Sequence, residues 1–127
     1  MKDSFLENKY VELWIEDGII FEVFKPSVKE VTLEIAKEVV NDRLKVSNEI
    51  TRPMLIDMGN FRIIEKNARD YFGGKESNSY VSAAAIVLNS YIAWLAGKLF
   101  LSFNKPSSKI ELFKTRHKAV EWLKQFR

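Results

Sequence analysis

The chain is 127 residues long, with 46% hydrophobic residues, 29% charged residues and a formal net charge of +3. That size and balance suit one globular domain spanning residues 1–127 with a real core. There is no cysteine, which excludes disulfides, thiol chemistry and cysteine-ligated metal sites.

The first nine residues carry no apolar signal-peptide core, so a cytoplasmic location is expected. Charge is uneven: from Asn104 to Arg127 there are seven Lys/Arg against two Asp/Glu, a local net of +5. No nucleic-acid-binding motif accompanies that basic end, and its aromatics sit at core spacing. It is read as a solvated helix face and tail, with no nucleic-acid partner expected.

In chain order, the segment from Tyr10 to Pro26 reads as a β-hairpin. Val11, Leu13 and Ile15 alternate with Glu12, Trp14 and Glu16, the period of a strand. Asp17-Gly18 marks the turn. A two-residue loop would pair Leu13 with Glu22 and set a carboxylate on the apolar face. A three-residue loop, Glu16-Asp17-Gly18, pairs Ile15 with Ile19, Leu13 with Phe21 and Val11 with Val23, so this register is expected. It leaves Trp14, Ile20 and Phe24 on the second face of the hairpin.

Ser27 and Glu30 have capping-box spacing, which predicts a helix starting there. Val28, Val31, Ile35 and Val39 form its stripe, widened by Leu33, Ala36, Val40 and Leu44, and it should end near Ser47-Asn48. "PMLID" predicts a short central strand ending at Asp57. "GNF" is the turn that follows, and Ile64 to Phe72 reads as a short helix closed by Gly73-Gly74.

"VSAAAIVLNSYIAWLAGKLFLSF" is long and apolar enough to raise a membrane span. Asn89-Ser90 breaks it into a buried strand and a capped helix, so no transmembrane segment is expected. Leu95, Leu99 and Phe103, with Ile92 and Ala96, make the main stripe of that helix. Tyr91, Trp94 and Phe100 fall off it. Asn104-Lys105-Pro106 stops the helix. "KIELF" is a last strand, and Thr115 caps a final helix whose stripe is Ala119, Trp122, Leu123 and Phe126.

The element order β-β-α-β-α-β-α-β-α predicts an α/β fold: a mixed sheet of about five strands carrying about four helices, with right-handed parallel crossovers. That order resembles STAS domains, and the chain looks like the SpoIIAA-like family of small STAS-related proteins, which also resemble the lipid-binding SEC14 fold. The likeness runs from Tyr10 to Phe126 and rests on "MLIDMGNFRIIEKNARDYF", "AAIVLNSYIAWLAGKLFLSFNKP" and "ELFKTRHKAVEWLKQF". It implies a non-catalytic regulatory or protein-interaction domain, with binding of a small apolar ligand or lipid as the alternative. Anti-anti-sigma members of the group carry Asp-Ser-Ser-Gly after this central strand, and a Ser there is phosphorylated. Laying this chain on that motif puts Glu65 at the Asp, Lys66 and Asn67 at the serines and Ala68 at the Gly. No hydroxyl stands at the switch, so no phosphorylation site is expected.

Residues for chemistry are few. His117 is the only histidine, and it lies between Arg116 and Lys118 with no orienting carboxylate. An exposed surface residue is expected, with no catalytic group and no enzyme activity. With no cysteine and no acidic cluster at ligand spacing, neither metal nor cofactor is expected. Asp57, at the end of a central strand, lies where α/β folds place their sites. Asn60, Arg62 and Lys66 follow it as a possible ligand or anion-binding surface. The aromatic surplus, Trp94 and Phe100 above all, points to a partner surface, self-association as a homodimer, or a lipid-sized pocket.

Overall fold

The structure is a computed structural model that describes residues 2–60, 62–103 and 109–127, with the side chains of Phe100 and Phe103 outside that set. Its strands are β1 (Lys2–Glu7), β2 (Val11–Glu16), β3 (Ile19–Phe24), β4 (Glu30–Val31), β5 (Arg52–Gly59), β6 (Ile63–Ile64), β7 (Val81–Leu88) and β8 (Lys109–Phe113). The helices are α1 (Leu33–Ser47), α2 (Lys66–Phe72), α3 (Tyr91–Phe103) and α4 (Arg116–Leu123), followed by a 3-10 turn, η1 (Lys124–Phe126). One six-stranded sheet runs in the order β1-β2-β3-β5-β7-β8, and β4 pairs only with β6. The α/β class and mixed sheet match the sequence reading, but the sheet has six strands where five were expected. The added strand is β1, whose mostly polar residues sit on an edge and carry no alternating signal.

β1, β2 and β3 are antiparallel, and β3, β5, β7 and β8 are parallel. The three parallel crossovers step in one direction across the sheet, so α1, α2 and α3 lie on one face. The other face is covered by α4 and η1. The first core gathers Val11, Leu13, Phe24, Val31, Ala36 and Val39 beneath α1 and α2. The second gathers Trp14, Ile19, Phe21, Leu55, Ala85, Ala119 and Leu123 beneath α4.

The hairpin corrects the expected register. Ile15 pairs with Ile20, Leu13 with Glu22 and Val11 with Phe24. The loop is therefore the two residues Asp17 and Gly18, both at positive φ (53° and 76°), as a type I′ turn requires. Glu22 does lie on the apolar face, because a partner waits for it there. Trp14, Ile20 and Phe24 are all buried, so the hairpin leaves no aromatic surface of the kind its second face suggested.

The start of α1 also differs. Thr32, and not Ser27, is the N-cap, its hydroxyl accepting from the Ile35 N–H at 3.3 Å. Glu30 and Val31 are held extended by β6, and Glu65 supplies the missing carboxylate, accepting from Leu33 N–H at 2.8 Å. Likewise Ile63 and Ile64 are strand, and α2 begins at Lys66. The far end of α1 is as read: Asn48 caps it in the left-handed region (φ 51°). β7, the Ser90 cap of α3 and the Thr115 cap of α4 fall where the sequence placed them. The proposed stop at Asn104-Lys105-Pro106 lies outside the described residues. Among the described residues, no helix is long and apolar enough to cross a membrane.

Candidate functional site

Asp57 stands at the C-terminal end of β5. Its Oδ1 accepts from Gly59 N–H at 2.9 Å, the short-range bond of an Asx turn. Its Oδ2 accepts from Arg116 Nε and Nη2 at 3.1 and 2.7 Å. Both carboxylate oxygens are thus engaged, and the second ties β5 to the first residue of α4. Arg62 uses its guanidinium on backbone: Nε donates to Met58 O at 2.6 Å, Nη1 to Lys25 O at 3.0 Å and to Val28 O, and Nη2 to Phe24 O at 3.3 Å. Burial pushes its pKa down, against the opposing pull of Asp57. Arg62 therefore holds the chain leaving β3 against the chain leaving β5. Lys66 points away, to Asp70 at 2.8 Å, and Asn60 and Asn67 are exposed. The four nominated residues share a region but do not converge on one ligand. Among the described residues no group of His, Asp and Glu is placed to hold a metal ion.

A buried polar cluster lies between β3 and α1, at residues the site reading did not include. Glu22 is 2% exposed and Arg43, on the inner face of α1, 1%. Arg43 Nε donates to Glu22 Oε1 at 3.3 Å, and Nη2 donates to Ser77 O at 2.7 Å. One ion pair thereby joins β3, α1 and the segment between α2 and β7. Burial raises the Glu22 pKa, with Arg43 opposing. Among the described residues, Arg43 Nη1 and Ser47 Oγ have no hydrogen-bond partner. Two sequence signals mark the pair together: a lone Glu on an apolar strand face, and an Arg inside an apolar helical stripe. Neither suffices alone.

The third region is α3. Its side chains are apolar almost all round, and Lys98 is its one charge. A helix of that kind is normally buried. Yet Tyr91, Ile92, Leu95 and Leu99 are 61%, 72%, 51% and 61% exposed. At about 100° per residue, the outward residues from Tyr91 to Ala96 span an arc of about 140°. Of the stripe expected to face the core, Ile92, Leu95, Ala96 and Leu99 point outward, and small residues face inward instead. Ala93 is buried. A Cβ at Gly97 would lie 2.9 Å from Leu112 Cδ1 and 3.2 Å from Leu88 Cδ1. A side chain there would have to push the Leu112 tip aside, so glycine lets the helix approach β7 and β8 closely. Trp94 is half-buried at the rim. It stacks on Tyr91 at 6.1 Å, and the ammonium groups of Lys114 and Lys98 lie 4.7 and 5.5 Å from its ring. The Phe100 side chain lies outside the described residues.

The chain belongs to the family described as a domain of unknown function (DUF7793), whose model matches residues 13–127. Among curated proteins none matches it. A similar solved structure is an uncharacterized protein of the DUF3478 family from Shewanella loihica PV-4, described as having a SpoIIAA-like fold. The TM-score is 0.62 at 17% identity, covering 93% of this chain and 98% of that one. The fold is therefore SpoIIAA-like, the family group the sequence resembles.

Proposed function

We propose that this DUF7793 member is a non-catalytic, STAS-like interaction module that self-associates through the outward face of α3. The observation that carries the reading is the exposure of Tyr91, Ile92, Leu95 and Leu99 on one uncharged arc. A contiguous apolar face of this kind marks an interaction surface in a small domain. The arc's own side chains are uncharged, with the Lys114 ammonium 5.1 Å from the Tyr91 ring and Lys98, which has Glu111 at 3.7 Å, at its border. The non-catalytic half is supported by the state of the two residues that could act: both oxygens of Asp57 are engaged, and His117 is exposed. Sedimentation velocity across a concentration series tests it. The wild type should shift toward a dimer, and Leu95→Glu with Leu99→Glu should remain monomeric at every concentration. A wild type that stays monomeric and captures no partner overturns the reading.

A second reading has its own observation. A shallow apolar depression, open to solvent, lies over Ile92, Leu95, Ala96 and Leu99, with Lys98 at its edge. It would suit an acyl chain or another small apolar ligand. Native mass spectrometry of freshly purified protein should then show added mass that Leu95→Glu removes; bare protein alone would rule it out.

A further inference from the structure

The two edges of the sheet are finished differently. At one end β1 is blunted: its register with β2 shifts between Asp3 and Leu6, and Ser4 sits at positive φ (52°). Such a bulge keeps an edge from pairing with another chain. At the other end β8 is regular. It pairs with β7 from Lys109 to Phe113 without a shift and contains no proline. A strand with one neighbour turns alternate peptide groups outward, and among the described residues no strand meets them on that side.

One pair of side chains crosses this open edge. Leu112 points to α3, where it meets Gly97. On the opposite face, the Phe113 ring lies 5.7 Å from that of Trp122 in α4, and the Lys109 ammonium lies 5.6 Å from the Phe126 ring. Side chains alternate along a strand, so Glu111 shares the α4 face with Lys109 and Phe113. Yet its carboxylate has the Lys98 ammonium at 3.7 Å, and Lys98 belongs to α3 on the other face. The two side chains therefore span the outer edge of β8 as a strap. A half-exposed ion pair adds little stability by itself. Its effect here is on association: a strand arriving at β8 would have to strip water from a charged group.

The composition of β8 says what the strap holds off. Antiparallel pairing of two copies about Ile110 sets Ile110 against Ile110. It also sets each Lys109 against the second copy's Glu111, on one face of the extended sheet. Opposite charges directly across a ladder favour pairing. Among the described residues Lys109 has no carboxylate of its own to satisfy.

We propose that β8 is a second self-association edge, held shut by Lys98 and opened to the β8 of another copy when the Lys98 charge is lost. The edge is separate from the outward arc of α3, so either surface stands or falls alone.

The test starts from Leu95→Ser with Leu99→Ser, which takes the α3 arc out of play, and follows sedimentation velocity across a concentration series. With Lys98 present this protein should stay monomeric. Adding Lys98→Ala should shift it toward dimer as concentration rises, with amide exchange slowed in β8 and unchanged in β1. Lys98→Arg keeps a cation over the edge and should stay monomeric. Adding Glu111→Lys to the associating variant sets lysine against lysine and should return it to monomer; Lys109→Glu on top should restore the dimer. A Lys98→Ala variant that stays monomeric at every concentration overturns the proposal. So does association of Lys98→Arg equal to that of Lys98→Ala, or a Glu111→Lys change without effect. A wild type that stays monomeric while the Lys98→Ala variant associates would sink the α3 reading and leave the edge standing.

Discussion

α1 and α3 cover the same face of the sheet in opposite ways. α1 turns Ala36, Val39, Val40 and Val46 inward, and even a charged residue, Arg43, goes in with them. Its outer face is Glu34, Lys37, Glu38, Asn41 and Lys45. α3 turns Ala93 and Gly97 inward and keeps Ile92, Leu95 and Leu99 outside. The difference shows that apolar content does not settle which side of a helix is buried. Room does: above β7 and β8, Leu88 and Leu112 already fill the space next to the helix, so only small residues fit beneath it. α1 is held by what it buries, and α3 leaves much of what it could bury available.

The comparison breaks hardest at Arg43. Arg43→Ala strands Glu22 as a buried carboxylate without its counter-charge and frees Ser77 O, and should cost about 3–5 kcal/mol in urea denaturation. Replacing both partners with apolar residues, Glu22→Leu with Arg43→Met, should recover most of that loss. A double variant as unstable as the single one would show that the Ser77 contact, and not the ion pair, dominates.

Gly97→Ala asks the same of α3. The added methyl meets Leu112 Cδ1 at 2.9 Å, a side-chain tip that can yield in part. Overpacking of about 1–3 kcal/mol is offset by about 1 kcal/mol of gained helix propensity. The expected net is a loss of about 1 kcal/mol, concentrated as faster amide exchange in α3 with α1 unchanged. Equal loss of protection in both helices would contradict separate anchoring.

Glu22 makes the α1 side sensitive to pH. Its folded pKa is raised above the ordinary 4.5 by burial, so the folded state holds its proton more tightly than the unfolded one. Its contribution to stability is full below the ordinary carboxyl value and falls as pH rises through the folded value. Wild-type stability minus that of Glu22→Gln should therefore fall from pH 4 upward. A difference that rises with pH would show that Arg43 outweighs burial.

The sequence made the order of elements legible because strand alternation, caps and turn residues are local. β7, both caps near Ser90 and Thr115, and the end of α1 at Asn48 are all of that kind. What it misjudged depended on partners far along the chain. Local pairing argues against Glu22 on the apolar face because its partner Arg43 lies 21 residues away. Capping-box spacing starts α1 too early because the carboxylate that caps it, Glu65, lies 32 residues beyond Leu33. In the candidate site, Asp57 and Arg62 stand five residues apart, but what occupies them, the Lys25, Val28 and Phe24 carbonyls and the Arg116 guanidinium, comes from distant segments. α3 differs from its apolar pattern for a related reason. Spacing alone sends large apolar residues to the core, and nothing local says that Leu88 and Leu112 have taken the space.

The smallest expected effect bears most directly on function. If α3 truly leaves its large residues unburied within one copy, Leu95→Ser should change monomer stability by no more than about 0.5 kcal/mol, the range for exposed positions. Val39→Ala, the matching change on α1, should cost about 1–3 kcal/mol by removing buried methyl groups. Both are read from urea midpoints at low concentration, where association adds nothing. The contrast then reverses with concentration. As dimer forms, wild-type stability should rise while Leu95→Ser stays flat, because only a copy with an intact α3 face gains from mass action. A concentration-independent midpoint for the wild type would leave the exposed arc without a second copy to cover it.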